Sequence, residues 1–207
     1  MRRTKQESLE TRAKLLDAAL DVFSEKNFSN ASLTEISARA GMSKGALYWH
    51  FRNKNDLLLR LVEEICRRSE EGAKNAFGSP ACTQSVRSYY MDAYLRFKEG
   101  DVKKKVYMIM MKRDEWPVDV QKSVERMIKE SMGREKTMIE EAIANGQKRG
   151  LLRSDVSPTA VAVLVSSIFH GLSVMLLADM LPPEFPEYTD ILFDALKREL
   201  TESDAAR

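Results

Sequence analysis

Between positions 43 and 54 the chain places a hydroxyl, two ammonium groups, a phenol, an indole and an imidazole around a Gly-Ala pair. Lys44 can donate to guanine N7 and O6 or to a phosphate oxygen. Gly45 lets a backbone approach closely, and Ala46 is small enough to meet a thymine methyl. Tyr48, Trp49 and His50 are consecutive, so they cannot all face a core. Exposed, their polar tips suit phosphates, where donors fix orientation without reading sequence. Lys54 stands where a helix begins, and an ammonium beside free amides favours phosphate. Each group also has a plainer use: Lys44 as a solvated lysine, Trp49 packed against the first helix.

No other constellation supplies chemistry. The chain has no HExxH, no P-loop and no Ser-His-Asp signature, so it does not read as an enzyme. Glu63-Glu64 and Glu140-Glu141 read as solvated helix surface. Cys66 and Cys82, with only two His and no CxxC, give no metal site and no cofactor, and read as reduced cytoplasmic thiols. Met1-Arg2-Arg3-Thr4-Lys5 is followed by no apolar run, so no signal peptide is expected.

The elements that must position these groups are helical. Leu9, Ala13, Leu16, Ala19, Leu20 and Phe23 form one stripe over 7–26, and Asn27 suits a left-handed turn after it. Ser32-Leu33-Thr34-Glu35 forms a capping box for a second helix that Gly41 ends. Ser43 caps a short third helix through His50. Two short helices around Gly41-Met42 have the form of a helix-turn-helix, with the second presented to a major groove. Leu33, Ile36, Ala40, Leu47 and Phe51 are assigned to its core. A fourth helix follows from 53–56, and further helices are expected near 82–98, 102–113, 119–149, 157–179 and 187–201. The expected fold is all-α with about nine helices: a three-helix head over 1–54 and a helical body over 55–207.

Composition agrees with a soluble globular chain: 207 residues, 43% hydrophobic, 31% charged, net charge +2. The charge is uneven. Residues 1–54 hold ten basic and six acidic side chains, whereas 55–207 hold twenty-three and twenty-five. The apolar run Ala160 to Ala178 approaches the length of a membrane span. Ser166, Ser167, His170, Gly171 and Ser173 interrupt it, which favours a buried or intersubunit helix and no membrane.

Ser32-Leu33-Thr34-Glu35-Ile36, Ala40 through Phe51 and Lys54-Asn55-Asp56-Leu57-Leu58 resemble the TetR/AcrR regulators. Arg2-Arg3-Thr4-Lys5 with Thr11-Arg12 is similar to the branch that represses multidrug-efflux operons. The strong likeness covers about the first 60 residues. Asn27 departs from it, since the family usually has Gly there. The resemblance implies that Ser32, Ser43, Lys44, Gly45, Tyr48, Trp49, His50 and Lys54 meet double-stranded DNA. It also implies a palindromic operator and a cytoplasmic homodimer paired through the helices near 157–179 and 187–201.

Eleven methionines and several aromatics suit an adaptable apolar pocket. The candidates for its wall are Tyr90, Tyr94, Phe97, Tyr107, Met108, Met111, Trp116, Met138 and His170. A small hydrophobic effector is then expected, with Asp114, Glu115 or Glu140 adding a preference for cationic amphipaths. His170 reads first as a hydrogen-bonded histidine in an apolar helix, not a metal ligand. Two other functions share parts of these features: a DNA-binding activator or architectural protein without a ligand, and a helical enzyme or scaffold that does not bind DNA.

Overall fold

A computed structural model of the chain describes residues 5–77, 102–178, 180–182 and 184–201. All regular elements among these residues are helical. In order they are α1 (Lys5–Asn30), α2 (Leu33–Arg39), α3 (Lys44–His50), α4 (Lys54–Phe77), α5 (Val102–Met110), α6 (Val118–Lys148), α7 (Pro158–Leu177) and α8 (Phe185–Thr201). A short 3-10 turn at Arg113–Glu115 precedes α6. The helix expected near 82–98 lies outside the described residues, as do Cys82, Tyr89, Tyr90, Tyr94 and Phe97.

Packing divides the chain into two compact units, Met1–Arg67 with Glu99–Lys129, and Arg68–Lys98 with Glu130–Arg207. This division differs from the one drawn by motif at 54/55, for an identifiable reason. Leu57, Leu58, Leu61 and Val62 of α4 belong to the same buried cluster as Leu15, Leu16, Ala19 and Phe23 of α1. Ile36, Leu47 and Phe51 join that cluster, as do Ile109, Trp116, Val120 and Val124. Each large apolar side chain so buried contributes roughly 1.5–3 kcal/mol. The α1 stripe is shorter than its sequence suggests, because Leu9 remains 54% exposed. Lys105 Nζ meets Asp21 Oδ1 at 2.7 Å and ties α5 to α1.

The second unit buries Ala73 and Phe77 of α4 with Ile139, Ala142 and Ile143 of α6. Leu152, Val161, Ala162, Val165, Phe193 and Leu200 complete this core. Gly146 makes room for Leu152: a Cβ at 146 would stand 2.7 Å from Leu152 Cδ1. Gln147 Nε2 donates to the carbonyls of Arg153 and Val156, each at 2.8 Å, and so satisfies the turn between α6 and α7. Ser157 caps α7 by accepting from Ala160 N, with Pro158 in the first turn as its sequence indicates. Pro158–Leu176 is long and apolar enough to cross a membrane by length and composition. Val161, Ala162 and Val165 nevertheless serve the unit's core, while Val163, Leu164, Val174 and Met175 are exposed.

One corner of the first unit carries strain. Asn27 interrupts α1 with φ 67° and ψ 166°. The positive φ agrees with the expected turn, but the ψ lies outside the left-handed helical basin, in a region that glycine alone occupies readily. Replacing Asn27 with Gly should therefore raise stability. Relief of roughly 1–3 kcal/mol of strain exceeds the roughly 0.5–1 kcal/mol of added chain entropy. A thermal melt should show a midpoint higher by a few degrees; a lower midpoint would mean that the Asn27 side chain has a positive role at the corner.

Candidate nucleic-acid interface

The site is built from helix ends. Ser32, extended at φ −118° and ψ 147°, begins α2 and accepts from Glu35 N at 3.2 Å. The second half of the expected capping box is replaced, since the Glu35 carboxylate turns to Lys26 Nζ at 2.6 Å. Arg39 at the far end of α2 grips Glu25 with two parallel bonds of 2.9 and 2.8 Å. That bidentate contact holds the Glu25 carboxyl below its usual range and pushes the Arg39 guanidinium further up. Both groups face solvent, so the pair acts mainly by fixing the orientation of α2 against α1.

The turn between α2 and α3 satisfies its own backbone. Met42 N donates to Ser37 O at 2.8 Å and Gly41 N to Ala38 O at 3.0 Å, the pair of bonds that defines a Schellman cap. Gly41 supplies the required positive φ of 67°. Ser43 then opens α3, its Oγ accepting from Ala46 N at 3.1 Å. Leu47 is the single fully buried side chain of α3, and it sets which face looks outward. Lys44 and Gly45 are exposed, Ala46 is half-buried, Tyr48 is 57% exposed and Trp49 is 73% exposed. Trp49 therefore does not pack against α1. Its ring meets His50 edge-on with centroids 4.6 Å apart, and His50 is half-buried. Of the expected core, Ile36, Leu47 and Phe51 are buried, and Leu33 and Ala40 pack against them.

Lys54 differs from its expected use. Its Nζ donates to the main-chain carbonyls of Phe28, Ser29 and Ala31 at 2.7, 3.1 and 3.0 Å. An ammonium has three protons, so none is left for a phosphate. Two further contacts had not been read from the sequence. Asp56 N donates to Asn53 Oδ1 at 2.9 Å while Asp56 Oδ2 accepts from Arg52 N at 3.0 Å, so the start of α4 is capped by Asn53 and the Asp56 carboxylate holds the residue before the cap. The Asn-x-x-Asp spacing carried that signal. The Arg12 guanidinium lies 5.9 Å from the centre of the Phe51 ring, a contact across some forty residues that no local pattern announces.

The candidate pocket residues fare less evenly. Tyr107, Met108, Met111 and Trp116 belong to the first unit, whereas Met138 and His170 belong to the second. Trp116 is a core residue beside Val120 and Val124, while Met108 and Met111 are exposed. Met138 packs on the edge of the second core. His170 is exposed, with Nδ1 at 2.7 Å from Ser166 O, in line with a hydrogen-bonded histidine.

A capped, outward-facing helix behind a glycine turn, on an all-helical scaffold, defines the class of helix-turn-helix proteins. Residues 15–61 match the family described as bacterial regulatory proteins, tetR family. The HTH-type transcriptional regulator AcrR of Shigella flexneri is 50% identical over 62 residues, which span 30% of this chain and 29% of that protein. The HTH-type transcriptional repressor BepR of Brucella suis is 29% identical over 173 residues, 83% of this chain and 82% of BepR. The structure of a SmeT–triclosan complex superposes with a TM-score of 0.69 at 25% identity, covering 92% of this chain and 86% of that one. The chain is thus similar to the TetR/AcrR transcriptional regulators, most strongly over about its first 60 residues.

Gly45 gives the site a clean test. A Cβ there would meet nothing in the protein closer than Ser43 Oγ at 3.9 Å. Gly45→Val should keep the helical circular dichroism and the oligomeric state while abolishing duplex binding. Loss of fold or assembly instead would assign the glycine a structural role.

Proposed function

We propose that the chain is a homodimeric repressor whose α2–α3 unit reads a palindromic operator, and that small hydrophobic ligands release it. The observation that carries this reading is α3 itself. It is anchored by Leu47 and capped by Ser43, and it leaves Lys44, Gly45, Tyr48 and Trp49 outward. Ser32, Ser43, Ala46 and His50 complete the contact surface, with Lys44 donating to a base and the aromatic tips meeting phosphates. Lys54 is not among these contacts.

The second copy sits on α7 and α8. Val163, Leu164, Val174 and Met175 on α7, with Tyr188 and Ile191 on α8, are exposed in the single chain. Apolar side chains in that number call for a partner surface. Ser167 and His170, exposed on the same helix, fit a protein neighbour better than lipid. Twofold pairing sets two copies of α3 about 34–36 Å apart, one turn of DNA. BepR is named a transcriptional repressor, and SmeT is described as the repressor of a Stenotrophomonas maltophilia multidrug efflux pump and was solved with triclosan. By analogy this chain governs a transport or efflux operon in the cytoplasm. Its effector is hydrophobic or a cationic amphipath. It binds the released form better and shifts the population away from the operator.

Selection of duplexes from a random pool should recover a palindrome, and Lys44→Ala should weaken its binding by about 1–3 kcal/mol with relaxed preference at one position. Recovery of no sequence, or affinity without salt dependence, would exclude the operator reading. Ile191 is 68% exposed. Ile191→Glu should convert the dimer to monomers in light scattering and weaken operator binding with it. A dimer that survives would move the interface away from α8.

A further inference from the structure

We propose that Lys54 is a positioning residue of the operator-binding head: it clamps the strained corner at the end of α1 and contacts no phosphate. The inference rests on the operator reading above, but its geometry stands apart from it. The ammonium meets three carbonyls, of Phe28, Ser29 and Ala31, within 3.1 Å. It also stands 4.5 Å from the centre of the Phe28 ring. Phe28 and Ala31 are themselves buried, so the corner is packed as well as bonded.

These carbonyls belong to the residues that follow the one non-glycine residue with positive φ among the described residues, Asn27. A backbone held in that region persists only where its surroundings over-determine it. Carbonyls at a helix end also lack intrahelical partners, and a cation there is favourable. Lys54 meets both needs with one group. Burial strips water from the ammonium and lowers its pKa from the ordinary lysine value, a cost that the three carbonyl contacts oppose.

The clamp lies where it bears on recognition. Ser32, the cap of α2, follows Ala31 directly, and Lys54 itself starts α4 four residues after α3 ends at His50. The same ammonium thus fixes the segment that enters the helix-turn-helix and the segment that leaves it. An arginine cannot replace it, because a planar fork does not converge three donors on three carbonyls.

The test uses the full chain and the duplex recovered by selection, with affinity measured across a potassium chloride series. Lys54→Met should weaken binding on the order of tenfold at fixed salt. The slope of log affinity against log salt should stay that of the unsubstituted chain. Lys54→Arg should not restore affinity, whereas Asn27→Gly should recover part of it in the Lys54→Met background, since glycine needs no clamp. A phosphate contact gives the opposite set: a slope shallower by about 0.9, restoration by Arg, and no benefit from Asn27→Gly. That set, or unchanged affinity in Lys54→Met, overturns the proposal. If the unsubstituted chain binds no duplex, the operator reading fails and the clamp is judged by amide exchange. Exchange at 28–32 should quicken in Lys54→Met and slow again with Asn27→Gly; exchange unchanged by Lys54→Met overturns it.

Discussion

Burial of Leu47 is the constraint on which the outward chemistry depends. A seven-residue helix is too short to hold itself in water, because nucleation costs more than so few hydrogen bonds return. α3 exists because Ser43 caps one end and Leu47 enters a core made by α1, α2 and α4. With only that one side chain fully buried, the rotation of the helix is settled. Lys44, Tyr48 and Trp49 face outward because Leu47 faces inward. Truncating Leu47 would cost the head about 2–5 kcal/mol and would loosen the face as well as the fold.

Caps and glycines were the legible part of this fold. Ser32, Ser43 and Ser157 each accept from the amide that their spacing foretold, and Gly41 takes the positive φ that the turn requires. Such signals are local: side chain and backbone partner lie within four residues, so the sequence contains both ends of the interaction. The exposed face of α3 was legible for a related reason, since three consecutive aromatic and imidazole side chains cannot share one buried side of a helix.

What escaped the sequence joins distant segments. Glu35 fits a capping box by spacing, yet Lys26 on α1 draws its carboxylate away. Lys54 looks like a phosphate ligand by position, yet its partners lie more than twenty residues upstream. The surroundings of the described pocket candidates were no more legible. Methionine and aromatic content marks apolar surroundings without saying which core receives each residue, and Trp116 went to the first unit while Met138 went to the second.

The charge of the head shows why counting differs from availability. Ten basic against six acidic side chains give residues 1–54 a surplus of four. Lys26 and Arg39, however, are held by Glu35 and Glu25, and every proton of Lys54 is taken by a carbonyl. These three cations organise the protein, while Lys44 is placed at the start of an exposed helix. A net charge of +2 on the whole chain is therefore compatible with a nucleic-acid site, because the field that matters acts within about a Debye length. Two heads brought together by twofold pairing would present that local field twice along one duplex. Recognition in that arrangement would depend on where a few donors are held, and the intramolecular contacts of Lys26, Arg39 and Lys54 are part of that holding.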